Sequence, residues 1–105
     1  MLPQSPDLGR DFLLDLTYIP MQYFCYILYS ALRDRYYVGS CSNLEERIKK
    51  HNTNHTGFTG KTGDWILSYR EVFNTVEEAR KRESEIKKWK SRRLIEKLIC
   101  SGHSD

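Results

Sequence analysis

The stretch Tyr23-Phe-Cys-Tyr-Ile-Leu-Tyr29 limits the fold more than any other part of the chain. Its run of aromatic, branched and other apolar residues reads as a buried strand. Within it, Phe24, Tyr26 and Leu28 share one face by alternation. Ser30 to Arg35 is polar and turn-like, and Tyr36-Tyr-Val-Gly39 resumes strand character, with Tyr37 and Gly39 on one face. The pair predicts a hairpin.

Ser42-Asn-Leu-Glu45 matches a capping box, in which the serine caps an early backbone N–H and the glutamate reaches back, so a helix is expected from there to near His51 or Asn52. The stretch Asn52–Asp64, rich in Thr, Asn and Gly, has loop composition and is long for a small domain, which favours a functional loop. Trp65 to Phe73 alternates and reads as a third strand. Thr75-Val-Glu-Glu78 is a second capping box, opening a helix to about Lys90, and a short helix carrying Leu94, Ile95, Leu98 and Ile99 closes the core. The order β-β-α-β-α-α predicts a small α+β domain with an antiparallel sheet.

A chain of 105 residues suits one domain with one core. No run approaches the roughly 18 apolar residues of a membrane-spanning helix, so a transmembrane protein is excluded. The patch Phe12, Leu13, Leu14 is flanked by Asp11 and Asp15 and lacks a basic leader, which makes a poor signal peptide and a cytoplasmic location the expectation. Residues 1–20, with Pro3, Pro6, Gly9 and Pro20, are expected to form a disordered or loosely packed extension; 21–100 are read as the working domain and 101–105 as a flexible tail. Cys25, Cys41 and Cys100 are odd in number and form no C-x-x-C pair, indicating reduced thiols rather than disulfides or a zinc site. The net charge of +3 is uneven: residues 1–20 hold three acids and one base, while Arg80–Lys97 holds nine bases and three acids. Such a cationic face suits a phosphate backbone, although by itself it is more often a solvated helix surface.

Helical spacing singles out further residues. Leu44 and Ile48 mark the buried stripe of the first helix, and at 100° per residue Arg47 and His51 fall about 60° and 20° from Leu44, towards the core side. A structural reading has Arg47 snorkelling at the stripe edge and His51 answering the helix dipole; a functional reading makes them a working pair. In the second helix the stripe Val76, Ala79 and Ile86 has Glu83 at its middle. A carboxylate facing a core is costly without a cation, a donor or a metal. Glu83 is therefore either paired with Arg47 or Lys90, or a ligand of a hard divalent ion such as Mg²⁺. No second carboxylate stands at ligand-like spacing, which argues against two metals. Tyrosines in strands such as Tyr26 and Tyr37 are ordinarily packing residues, while Gly39 weakens a strand unless something approaches its backbone closely. His51 and His55 lack the following glutamate of H-E-x-x-H, so a zinc protease is rejected.

These residues together resemble the GIY-YIG nuclease family. That family has a tyrosine in a first strand, a second tyrosine closely followed by glycine, an arginine ten residues later, often a histidine four further on, and a glutamate on a later helix. Here Tyr26 follows Phe24 and Cys25 in place of the family's glycine and isoleucine; the second motif is Tyr37-Val38-Gly39; Arg47 and His51 keep the spacing; and Glu83 lies in Ala79-Arg-Lys-Arg-Glu83-Ser-Glu-Ile-Lys87. Ser40 stands where some relatives carry a lysine. The similarity runs from about Gln22 to Ile99 and is greatest to small, stand-alone bacterial members.

The resemblance implies a three-stranded antiparallel sheet flanked by helices and metal-dependent phosphodiester hydrolysis. Glu83 is then the expected ligand of one Mg²⁺ or Mn²⁺ and Arg47 the phosphate-binding cation. Tyr26 is the family's choice of general base, with Tyr37 or His51 orienting the water or sharing that role, and His51 the better base on its ordinary pKa alone. Nucleic acid, expected to be DNA, is the partner, in repair or recombination. From the charge pattern its contacts are expected from Gly39, Lys61, Lys87, Lys88, Lys90, Arg92 and Arg93; in the inactive alternative Lys81 joins the lysines and arginines of this segment, with Trp89 as a surface platform. A monomer or weak homodimer is expected. The alternatives are an inactive nucleic-acid-binding module on the same fold, and a structural protein in which Glu83 pairs with a neighbouring cation.

Overall fold

The unbroken apolar run of the first strand has a structural cause: it is the middle strand, covered on both faces. The structure is a computed structural model that describes residues 21–53, 57–60 and 62–102. Its elements are β1 (Tyr23–Ser30), β2 (Arg35–Cys41), α1 (Leu44–His51), β3 (Trp65–Phe73), α2 (Val76–Trp89) and α3 (Arg92–Gly102). The sheet is antiparallel with order β2-β1-β3. The expected α+β class and element order both hold. The expectations for residues 1–20 and for Lys61 fall outside the described residues. Helix α3 continues two residues beyond 100, into the segment read from sequence as a tail.

On one face Cys25 and Ile27 of β1 and Val38 of β2 meet Ile86 of α2, joined by Tyr69, Phe73, Trp89 and the apolar stripe of α3. On the other, Tyr26, Leu28 and Trp65 pack with Tyr37, Cys41, Leu44 and Ile48, so α1 covers this side. Trp65 and Tyr69 share odd parity yet serve opposite faces. A register break between Ile27 and Leu28 leaves Ser68 as an extra residue of β3, and one inserted residue flips the faces of a strand. Thr75 caps α2 as its box predicts, accepting from the Glu78 N–H at 3.2 Å. The first box slides by one residue: the cap of α1 is Asn43, whose Oδ1 accepts from the Glu46 N–H at 3.1 Å. The three cysteines are free, as expected.

Candidate active site

Strand register determines why residue 39 is a glycine. Tyr26 pairs with Gly39 across β1 and β2, and its phenol lies over that residue, so a Cβ there would stand 2.5 Å from the Tyr26 Oη. The close approach predicted at Gly39 is therefore made by Tyr26, and the glycine, which is buried, needs no nucleic acid to explain it. Tyr26 itself is wholly buried. Its Oη lies 3.0 Å from His51 Nε2 at the last turn of α1, and the His51 Nδ1 lies 2.7 Å from Thr59 Oγ1.

The long loop holds that chain of contacts in place. The Trp65 indole N–H donates to the Thr59 carbonyl at 2.8 Å, and the Asn52 side chain exchanges two hydrogen bonds with the Trp65 backbone, at 2.8 and 3.0 Å. The tryptophan thus ties both the end of α1 and the loop to β3. Tyr37 completes an aromatic cluster, its ring centroid 4.7 Å from His51 and 6.3 Å from Tyr26. Burial pushes the Tyr26 phenol far above its ordinary range; Tyr37 adds to the effect and Arg47 partly offsets it.

His51 is buried on the core side as its helical position predicts, but Arg47 is exposed. It joins Tyr37, Lys50, His51, Phe58 and Thr59 around a cavity of about 450 Å³. Tyr26 does not line that cavity and sits sealed beside it.

Glu83 comes from the opposite face, because α2 packs on the Cys25 and Ile27 side of the sheet. It reaches the edge strand, where the Ser40 hydroxyl donates to Oε1 at 2.6 Å. Lys87 holds Oε2 at 2.6 Å, and its Nζ stands 5.9 Å from the Tyr37 ring centroid. Of the cations expected to face Glu83, neither Arg47 nor Lys90 does; Lys87, one helical turn on, takes the place. Lys90 instead ends α2 in the left-handed conformation, at φ 47°.

The five motif residues therefore meet at β2, four from the α1 face and Glu83 from the other. Among the described residues no three His, Cys, Asp or Glu form a metal cluster. One carboxylate with a neighbouring hydroxyl suits an ion that keeps waters and takes substrate phosphate as its remaining ligands, the habit of Mg²⁺. The Lys87 pair does not lock that carboxylate: Lys87 is half-exposed, and such pairs are worth about 1 kcal/mol or less.

The basic segment divides. Arg92 is committed to Asp34 at 2.6 Å and Glu96 at 3.0 Å, and Lys87 to Glu83, whereas Lys88, Lys90 and Arg93 are exposed. Trp89 is no surface platform; it packs into the core under the Arg82 guanidinium, 5.6 Å from its ring. The sequence marks Asn52–Asp64 as a functional loop, its threonines among the candidates, but does not single out Thr59 or point to Phe58, because an aperiodic loop carries no spacing signal.

A GIY-YIG catalytic domain matches residues 22–97, and the chain belongs to this family, an endonuclease superfamily. It is 39% identical over 67 residues to the UPF0213 protein SSP2268 of Staphylococcus saprophyticus, covering 63% of this chain and 80% of that one. It also resembles the solution structure of the UPF0213 protein BH0048 from Bacillus halodurans, at 31% identity and a TM-score of 0.51, over 80% of this chain and 89% of that one. Among the described residues no helix is long and apolar enough to cross a membrane.

Proposed function

We propose that the protein is a metal-dependent endonuclease that hydrolyses phosphodiester bonds in DNA. One observation supports this above the others: residues from two strands and two helices meet at one strand edge, beside a cavity lined by Tyr37, Arg47 and His51. In this reading Glu83 holds one Mg²⁺ or Mn²⁺, which when bound polarises a phosphate oxygen and stabilises the leaving oxygen. Arg47 binds the scissile phosphate and offsets charge that grows in the transition state.

The proton of the attacking water enters the Tyr26–His51 pair at His51, which lines the cavity together with Thr59, while Tyr26 is buried behind it. Burial keeps the Tyr26 phenol protonated at neutral pH, so a standing phenolate is not the base. The proton is instead shared across the 3.0 Å contact with His51, whose other ring nitrogen is fixed by Thr59. Tyr37 orients the water. The working unit in this reading is residues 21–100, a cytoplasmic monomer or weak homodimer acting in repair or recombination.

A second reading is an inactive nucleic-acid-binding module, although Glu83 and Arg47 are both present and the Lys87–Glu83 ion pair is what a structural protein would show. Incubating the pure protein with plasmid and with branched, flapped and single-stranded oligonucleotides, in Mg²⁺ or EDTA, separates the two. The first reading expects cleavage of at least one substrate in Mg²⁺ and none in EDTA. Binding without cleavage in every case supports the second.

A further inference from the structure

Phe58 is 56% exposed, although its ring lies nearly parallel to that of Tyr37, with centroids 6.2 Å apart and planes at 28°, and 6.1 Å from Trp65. An aromatic ring braced by two others yet left open to water is poorly used as a core residue. Its backbone is also fixed, since the Arg33 guanidinium donates to the Phe58 carbonyl and stands 5.4 Å from the ring centroid.

Phe58 lines two cavities of different character. One, of about 450 Å³, is also lined by Tyr37, Arg47, Lys50 and His51. The other, of about 430 Å³, is lined by Arg33, Arg35 and Phe58. Arg35, Arg47 and Lys50 form no ion pair among the described residues, in contrast with Arg82, Lys87 and Arg92. The surface thus alternates cation, aromatic ring, cation. A nucleic acid strand alternates phosphate, base, phosphate. Base–aromatic stacking of this kind needs an unstacked base, because a paired base inside a duplex has both faces taken. Each cavity also lies within the size range of a small-ligand site.

We infer that Phe58 is a stacking platform for an unpaired nucleobase next to the bond that is cut, with Arg47 and Lys50 on the phosphate at one side and Arg33 and Arg35 on the phosphate at the other. This rests on the proposed nuclease reading for its substrate class. It moves the strand-binding surface from the basic end of α2 to the β1–β2 turn and the loop after α1.

The test is binding rather than turnover, so that it can fail independently of catalysis. Single-stranded oligonucleotides carrying the fluorescent base 2-aminopurine at successive positions are titrated with the full chain in EDTA. Wild type should quench the probe at one position; Phe58→Ala should abolish that quenching and weaken binding about tenfold, and Phe58→Trp should restore both. The loss should be at least severalfold larger for the single strand than for a fully paired duplex. Arg33→Ala with Arg35→Ala should make the dependence of log affinity on log salt shallower by about 0.7 per lost contact. Quenching and affinity unchanged in Phe58→Ala, or equal losses on single strand and duplex, would overturn the inference. A wild-type protein that quenches the probe but cuts nothing in Mg²⁺ upholds Phe58 as the stacking platform and overturns the nuclease reading instead.

Discussion

One methyl group added at residue 39 would stand 2.5 Å from the Tyr26 hydroxyl oxygen and 2.7 Å from the ring carbon that bears it. Neither β1 nor the ring has room to retreat, because Tyr26 is wholly buried against His51. Gly39→Ala should therefore cost about 1–3 kcal/mol in chemical denaturation and lower cleavage at least tenfold. Wild-type activity in that variant would show that the Tyr26 position is not needed. Tyr26→Phe and His51→Gln should each lower turnover by about 10²-fold or more, and the double variant should be no slower than the slower single one. That non-additivity is expected of groups that share one proton; additive losses would make them independent. Arg47, His51 and Glu83 were legible in the sequence because helical spacing is local. Lys87 is one turn from Glu83 and equally local, but its pairing depends on Glu83 reaching the sheet edge, which spacing alone does not reveal.

At the scale of elements, the helix start at 43 shows how a local signal can be right in kind and displaced by one. The segment Ser42-Asn-Leu-Glu-Glu46 contains two overlapping boxes, Ser42 with Glu45 and Asn43 with Glu46, and the structure uses the second. Asn43→Ala should therefore cost about 1 kcal/mol, while Ser42→Ala should fall within a few tenths of wild type; the reverse order would place the cap at Ser42. The strands and helices were legible because each has a strong period or an unbroken apolar run. The flip in β3 was not. It comes from the extra residue at Ser68, and nothing in that strand's composition shows which residue bulges until the pairing with β1 is known.

Across the whole molecule, two cores on opposite faces share β1, and their burial makes stability depend on alkaline pH. Burial, with the charges of Glu71 and Glu83 behind it, pushes the Cys25 thiol up from 9.0 to about 12. The unfolded thiol loses its proton first, so stability is complete below pH 9 and falls as pH rises from there towards 12. Between pH 8 and 10 the loss should be on the order of 1 kcal/mol, read from urea midpoints, and Cys25→Ala should flatten that slope. A slope of the same size in the variant would remove Cys25 as its cause. Burial likewise holds the Tyr69 phenol up at about 12, so it adds to the loss only at higher pH. The charge surplus was legible as a number but not as a surface, because ion pairs spanning distant segments, such as Arg92 with Asp34 and Arg82 with Glu71, decide which cations are left for a partner. The central claim is that Glu83 supplies the metal dependence of phosphodiester cleavage. Its most direct test is the cleavage rate of a labelled oligonucleotide by wild type and Glu83→Gln across a Mg²⁺ titration, with thermal melting and oligonucleotide affinity in EDTA as controls. Wild type should rise from background to saturation while Glu83→Gln stays at background throughout with an intact fold; a Glu83→Gln rate curve that overlays wild type would contradict the account.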